Sequence, residues 1–114
     1  PKFECFFSSM VEFNDIAVQK YEKGSSGIGI HRDSQRYRDL ILIICLSGQS
    51  QFFIANNREG SSAQIIDDTP GKLIMMAGPG FKNLGKPKNR LLHGVKNIKK
   101  ARLSLGLRCD TTLC

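Results

Sequence analysis

Apolar residues along this chain come in short runs broken by turn residues, and few recur at the three-to-four spacing of an amphipathic helix. The runs are "DIAVQKY" (15–21), "GIGIH" (27–31), "DLILIICL" (39–46), "QSQFFIAN" (49–56), "AQIID" (63–67), "KLIMMA" (72–77), "RLLHGV" (90–95) and "ARLSLGLR" (101–108). Most are rich in β-branched or aromatic residues and read as strands. Gly24-Ser25-Ser26, Ser47-Gly48, Asn56-Asn57 with Gly60, Thr69-Pro70-Gly71 and Gly78-Pro79-Gly80 supply the turns between them. "FECFFSSMVEF" reads equally as a short N-terminal helix or a strand. The pattern predicts one mainly all-β domain over residues 1–114, with at most one or two short helices, and a double-stranded β-helix or jelly roll as the leading architecture. The longest irregular piece, "AGPGFKNLGKPKN" (77–89), is expected to be a functional or mobile loop.

Two of the runs carry chemistry. "GIGIHRDSQ" (27–35) is an apolar strand that ends in three groups water would normally keep. Residues two apart on a strand share a face, so His31 and Asp33 point one way and Arg32 the other. An imidazole and a carboxylate are two of the three ligands of a facial metal triad. An isolated H-x-D is commonplace, and a third ligand is needed. The chain has one other histidine, His93, 62 residues on (93 − 31) in the penultimate run. A satisfied core histidine is the alternative for each.

In "RLSLGLR" the even positions are Arg102, Ser104, Gly106 and Arg108, and the odd ones are Leu103, Leu105 and Leu107. A surface strand pointing its charges to water fits this pattern. A polar pocket backed by a packed layer fits equally, and two permanently charged guanidiniums would suit a dicarboxylic acid. The leucine face is expected to pack on the N-terminal segment around Phe3, Phe6, Phe7 and Met10.

Charge adds a partner class. Residues 1–57 carry six basic and six acidic side chains, whereas residues 58–114 carry eleven and four, so the whole +7 lies in the second half. Such asymmetry favours a polyanion, with a solvated basic face as the alternative. The four cysteines form no C-x-x-C pair, so reduced thiols and a cytoplasmic (or nucleoid or nuclear) setting are expected rather than secretion, with Cys45 a small core residue. No apolar run approaches the ~20 residues of a membrane span. A chain that starts at Pro1 is expected to be processed or cut from something longer.

From "FNDIAVQKYEKGSSGIGIHRD" through "GKLIMMAGPG" and "RLLHGV" to "RLSLGLR", roughly residues 13–108, the chain resembles the iron(II)/2-oxoglutarate-dependent dioxygenases, and within them the AlkB-like nucleic-acid dealkylases. H-x-D, a distal His and R-x5-R occur in that order. The resemblance implies that His31, Asp33 and His93 bind Fe(II) and form the catalytic centre. It implies that Arg102, helped by Tyr21, pairs with the distal carboxylate of 2-oxoglutarate, and that Arg108 lies near the 1-carboxylate. Gln19 and Ser104 stand where the family places cosubstrate-bonding Asn residues. The implied reaction uses O2 and yields succinate and CO2, with oxidative demethylation of an alkylated base as in DNA repair.

The departures concern substrate. Gln35 stands where the family's DNA enzymes carry an acid, and the N-terminal substrate lid is expected to be absent or vestigial. With no Trp, base stacking falls to Tyr37, Phe6, Phe7 or Phe81. An open site of this kind favours single-stranded nucleic acid. Its phosphate-contacting rim would comprise Arg32, Arg36 and Arg38, with Lys82, Lys86, Lys88, Arg90, Lys96, Lys99 and Lys100. Two further readings stay open: the same chemistry on a protein side chain or small molecule, and a non-catalytic binding module with structural histidines.

Overall fold

The strands expected from the apolar runs form, but two pairs of them fuse. The computed structural model describes residues 12–81 and 84–113 as an all-β fold of six strands. These are β1 (Asp15–Tyr21), β2 (Ile28–His31), β3 (Tyr37–Ala55), β4 (Gln64–Ile66), β5 (Leu73–Ala77) and β6 (Leu92–Asp110). Among the described residues the only helical pieces are single 3-10 turns at Pro87–Asn89 and Thr111–Leu113. No described helix is long and apolar enough to cross a membrane. The N-terminal "FECFFSSMV" lies outside the described residues.

The expected turn at Ser47-Gly48 is a correction. The chain does not reverse there, because β3 and β6 remain paired through it, with the antiparallel register slipping at several points between Cys45 and Gln51. Bulges of this kind bend a ribbon without ending it. Gly48 has φ +108°, and a Cβ on it would sit 2.2 Å from the Ala101 carbonyl oxygen, so only glycine fits the crease. Across the crease, Asn97 of β6 also takes a left-handed conformation, with φ 54°.

The bend is large. Nineteen residues of straight strand would span roughly 60 Å. The longest dimension of the molecule is 41 Å. The β3–β6 ribbon therefore folds on itself into two halves, each four strands across. One half runs β2-β6-β3-β4 and the other β1-β6-β3-β5. They meet through Tyr37, Ile41 and Met76 from one half and Phe52, Val95 and Ile98 from the other. Burial of these large apolar side chains, each stabilising by roughly 1.5–3 kcal/mol, holds the halves together.

The second half has an apolar outer face as well. Directly opposed positions share a face. One row across the strands is Ile16, Leu107, Leu42 and Met75, and the next is Val18, Leu105, Ile44 and Leu73. Ile16 and Val18 are 65% and 67% exposed at its edge. The expected cover around Phe3, Phe6, Phe7 and Met10 lies outside the described residues.

Candidate metal centre

β2 runs antiparallel to the start of β6, and the register sets His31 directly opposite His93. Gly94, the next residue, permits the approach: a Cβ there would lie 2.7 Å from both the Phe53 ring and the Ile28 carbonyl. The two imidazole centroids are 4.4 Å apart, and His93 stacks on Phe52 at 5.6 Å. Asp33 lies two residues beyond the end of β2. Its Oδ1 is 3.4 Å from Nε2 of His31 and 3.3 Å from Nε2 of His93. The three ligand atoms all lie within 4.8 Å of one another.

The other ring nitrogens explain what such an arrangement is suited to. Nδ1 of His31 donates to the Gly29 carbonyl at 2.8 Å, and Nδ1 of His93 to the Leu91 carbonyl at 3.0 Å. A carbonyl only accepts, so each Nδ1 carries the proton, and in the neutral ring each Nε2 presents a lone pair. Two lone pairs and a carboxylate converging on one point repel unless a cation lies between them. At metal–ligand distances near 2.1 Å, neighbouring ligands of an octahedral ion stand about 3 Å apart, close to the spacings here. Two imidazoles and one carboxylate suit a divalent first-row ion with open positions.

Without such an ion, burial works to raise the Asp33 carboxyl, and the two imidazoles outweigh it, holding it well below the usual carboxylate range. His31 is pushed up chiefly by its hydrogen bond to Asp33, against the opposing effect of burial. The backbone around Asp33 is held too. Arg90 donates through Nη1 to the Asp33 carbonyl, and Arg32 donates through Nε to the Arg90 carbonyl at 3.0 Å. Arg32, expected at a phosphate-binding rim, is thus engaged in fixing the turn that carries Asp33.

A cavity extends from His31, Asp33 and His93 to Gln19, Arg102 and Arg108. These residues come from both halves of the folded ribbon. Gln19 pairs across the ladder with Ser104, and Tyr21 with Arg102. Burial raises the Tyr21 phenol, and the nearby Arg102 charge opposes that. Both arginines already hold carboxylates. Arg102, 1% exposed, donates to Asp68 Oδ2 through Nη2 at 2.9 Å and Nε at 3.3 Å, and through Nη1 to Ser104 Oγ at 3.1 Å. Arg108 donates to Asp15 Oδ2 through Nη2 at 2.7 Å and Nε at 3.0 Å, and lies 4.0 Å over the Tyr37 ring.

Asp15 and Asp68 were not among the residues singled out from sequence. A signal existed for Asp68: it is one of four acids in a strongly basic half, and it directly follows the "AQIID" run. Asp15 gave no such signal.

The expected nucleic-acid contacts differ in exposure and in partners. Gln35, Lys86, Lys88, Lys96, Lys99 and Lys100 are exposed. Lys82 lies outside the described residues, as do Phe6 and Phe7. Arg36 pairs with Asp110, its Nε 3.2 Å from Oδ2, and Arg38 with Asp39 at 3.7 Å. Tyr37 is 7% exposed in the core, with Arg36 and Arg108 against its ring. Its faces are therefore taken, and of the expected stacking residues only Phe81 is both described and partly open. Compared with protein-family models and with curated proteins, the chain matches no known family and no curated relative.

Proposed function

We propose that this chain is an iron(II)/2-oxoglutarate-dependent dioxygenase of AlkB-like type that removes alkyl groups from bases in nucleic acid. One observation carries the reading: the chain's two histidines, distant in sequence, converge with Asp33 at one end of a cavity that has Arg102 and Arg108 at the other. The folding of the long ribbon into two facing four-stranded halves supports a double-stranded β-helix, the architecture that would place such a cavity between its sheets.

In this reading His31, Asp33 and His93 would hold the ferrous ion, two imidazoles and one carboxylate being a donor set suited to such an ion. With 2-oxoglutarate and O2 the ion supplies oxidative hydroxylation of a C–H bond, releasing succinate and CO2, and formaldehyde when the target is an N-methyl base. Arg108 and Arg102 orient the acid by charge-assisted hydrogen bonds, Gln19 offers a further donor along the same wall, and Ser104 holds Arg102 from behind it. Phe52 and Val95 keep the wall beside the imidazoles apolar. The exposed lysines at positions 86, 88, 96, 99 and 100 supply positive charge for a phosphate backbone.

The burial of Tyr37 favours a second reading, the same chemistry on a protein side chain or small molecule, because it removes one of the expected base-stacking rings. Two measurements test the proposals in turn. Anaerobic titration with Fe(II) and 2-oxoglutarate should produce the visible metal-to-ligand band of the ternary complex, and His31→Ala or Asp33→Ala should abolish it. Mass spectrometry of methylated single-stranded oligonucleotides should then show methyl loss. Succinate release with every methyl group retained selects the second reading, and no ternary complex in the wild-type protein overturns both.

A further inference from the structure

Arg102 enters the cavity with its charge already matched, and that bears on which acid the site prefers. Its Nε and one Nη2 hydrogen are directed to a single oxygen of Asp68, and its Nη1 to Ser104. Both side chains of the ion pair are almost fully buried, so water screens it little. Arg108 is paired in the same way with Asp15. A ligand carrying two carboxylates therefore meets no unpaired arginine at either end of its path.

Asp68 reaches Arg102 from outside the metal-facing cavity. It lies in the loop between β4 and β5, beside a second small cavity lined by Cys45, Gly48, Gln49, Thr69 and Pro70. That loop is fixed by hydrogen bonds from Thr69 to Asp67 and from Gly71 N to the Cys45 carbonyl. The space next to Asp68 gives its carboxylate somewhere to withdraw while the loop stays in place.

We propose that Asp68 is a specificity-determining residue whose carboxylate competes with the second carboxylate of a bound 2-oxo acid for the guanidinium of Arg102. The wild-type site consequently prefers a 2-oxo diacid over a 2-oxo monoacid far less than an unpaired arginine would allow. The inference rests on the dioxygenase reading and concerns only the acid's distal end.

The test is calorimetric titration of the Mn(II)-loaded, anaerobic protein with 2-oxoglutarate and with 2-oxobutanoate, which shares the head group and lacks the second carboxylate. Wild type should separate the two acids by less than about tenfold. Asp68→Asn keeps an acceptor for Arg102 and removes the competing charge. It should tighten 2-oxoglutarate roughly tenfold or more, the scale of one hydrogen bond to a charged group, and leave 2-oxobutanoate within about twofold. Asp68→Ser should act in the same direction. Weaker binding of 2-oxoglutarate by both variants would overturn the inference, since Asp68 would then be orienting Arg102 for the ligand. Equal changes for the two acids would overturn it also. If neither acid binds any of the proteins while Mn(II) does, the dioxygenase reading falls together with the inference.

Discussion

His93 and Arg102 lie on the same strand, nine residues apart, yet both face one cavity. On a regular strand an odd separation sends side chains to opposite faces. The exchange happens at the crease. In β6 the inward set is His93 and Val95 before it and Arg102, Gly106 and Arg108 after it, and in β3 it passes from Ile41 and Ile43 to Phe52. The candidate metal ligands and the arginines line one cavity because both strands change parity where they bend.

The glycine at the crease should therefore tolerate no side chain. Gly48→Ala brings a Cβ against the Ala101 carbonyl in a backbone conformation that alanine resists. It should destabilise the protein by at least about 2 kcal/mol in urea denaturation. Gly71→Ala has a comparable φ, +93°, but open space around the new Cβ. It should lose only about 1 kcal/mol.

Metal loading should stabilise the fold and depend on both histidines. An ion that binds only the native state adds about 2.7 kcal/mol when present at 100 times its dissociation constant. Thermal melts with Mn(II) and after chelation should show that increment in the wild type. His31→Ala should weaken Mn(II) more than roughly 100-fold, beyond the usual effect of losing an outer-shell partner. Because His31 is partly exposed and His93 is buried against Phe52, His93→Ala should additionally destabilise the metal-free protein more than His31→Ala does.

The Asp68–Arg102 pair should behave as a unit. Arg102→Met leaves the Asp68 carboxylate buried without its guanidinium and should destabilise by about 3–5 kcal/mol. The double variant Asp68→Leu with Arg102→Met should recover much of that loss, because no charge remains to desolvate. A double-variant cycle in urea reads the coupling directly.

Acid should act partly through Asp110. Its carboxylate accepts hydrogen bonds from the hydroxyl and amide of Thr112 and faces Arg36, which together hold it below the usual range. A depressed folded-state value means the contribution is fully present above the unfolded value of 3.8 and is lost as pH falls through the depressed one. Asp110→Asn should accordingly be less stable than wild type at neutral pH. The gap should close as the pH drops below about 4, as followed by chemical denaturation across pH.

Local pattern settled the strand content and pointed to the His31, Asp33 and His93 cluster. "DIAVQKY" becomes β1 with the expected bounds, and "KLIMMA" contains β5, because alternation and β-branched composition act over a few residues. The grouping of His31, Asp33 and His93 was legible because a metal site would need particular atoms, and the chain has only two imidazoles to offer. The crease was not legible. Ser47-Gly48 carries turn chemistry, and whether such a pair reverses the chain or bends a continuing ladder depends on a partner strand some fifty residues away. The pairing of Arg102 with Asp68 and of Arg108 with Asp15 was hidden for the same reason: each joins residues far apart in sequence. The sequence by itself determined which groups were present and which faces they alternated between. Only the tertiary fold decided which faces met, and so which charges arrived at the site already neutralised, because burial and long-range pairing are properties of the folded ribbon and not of any one segment.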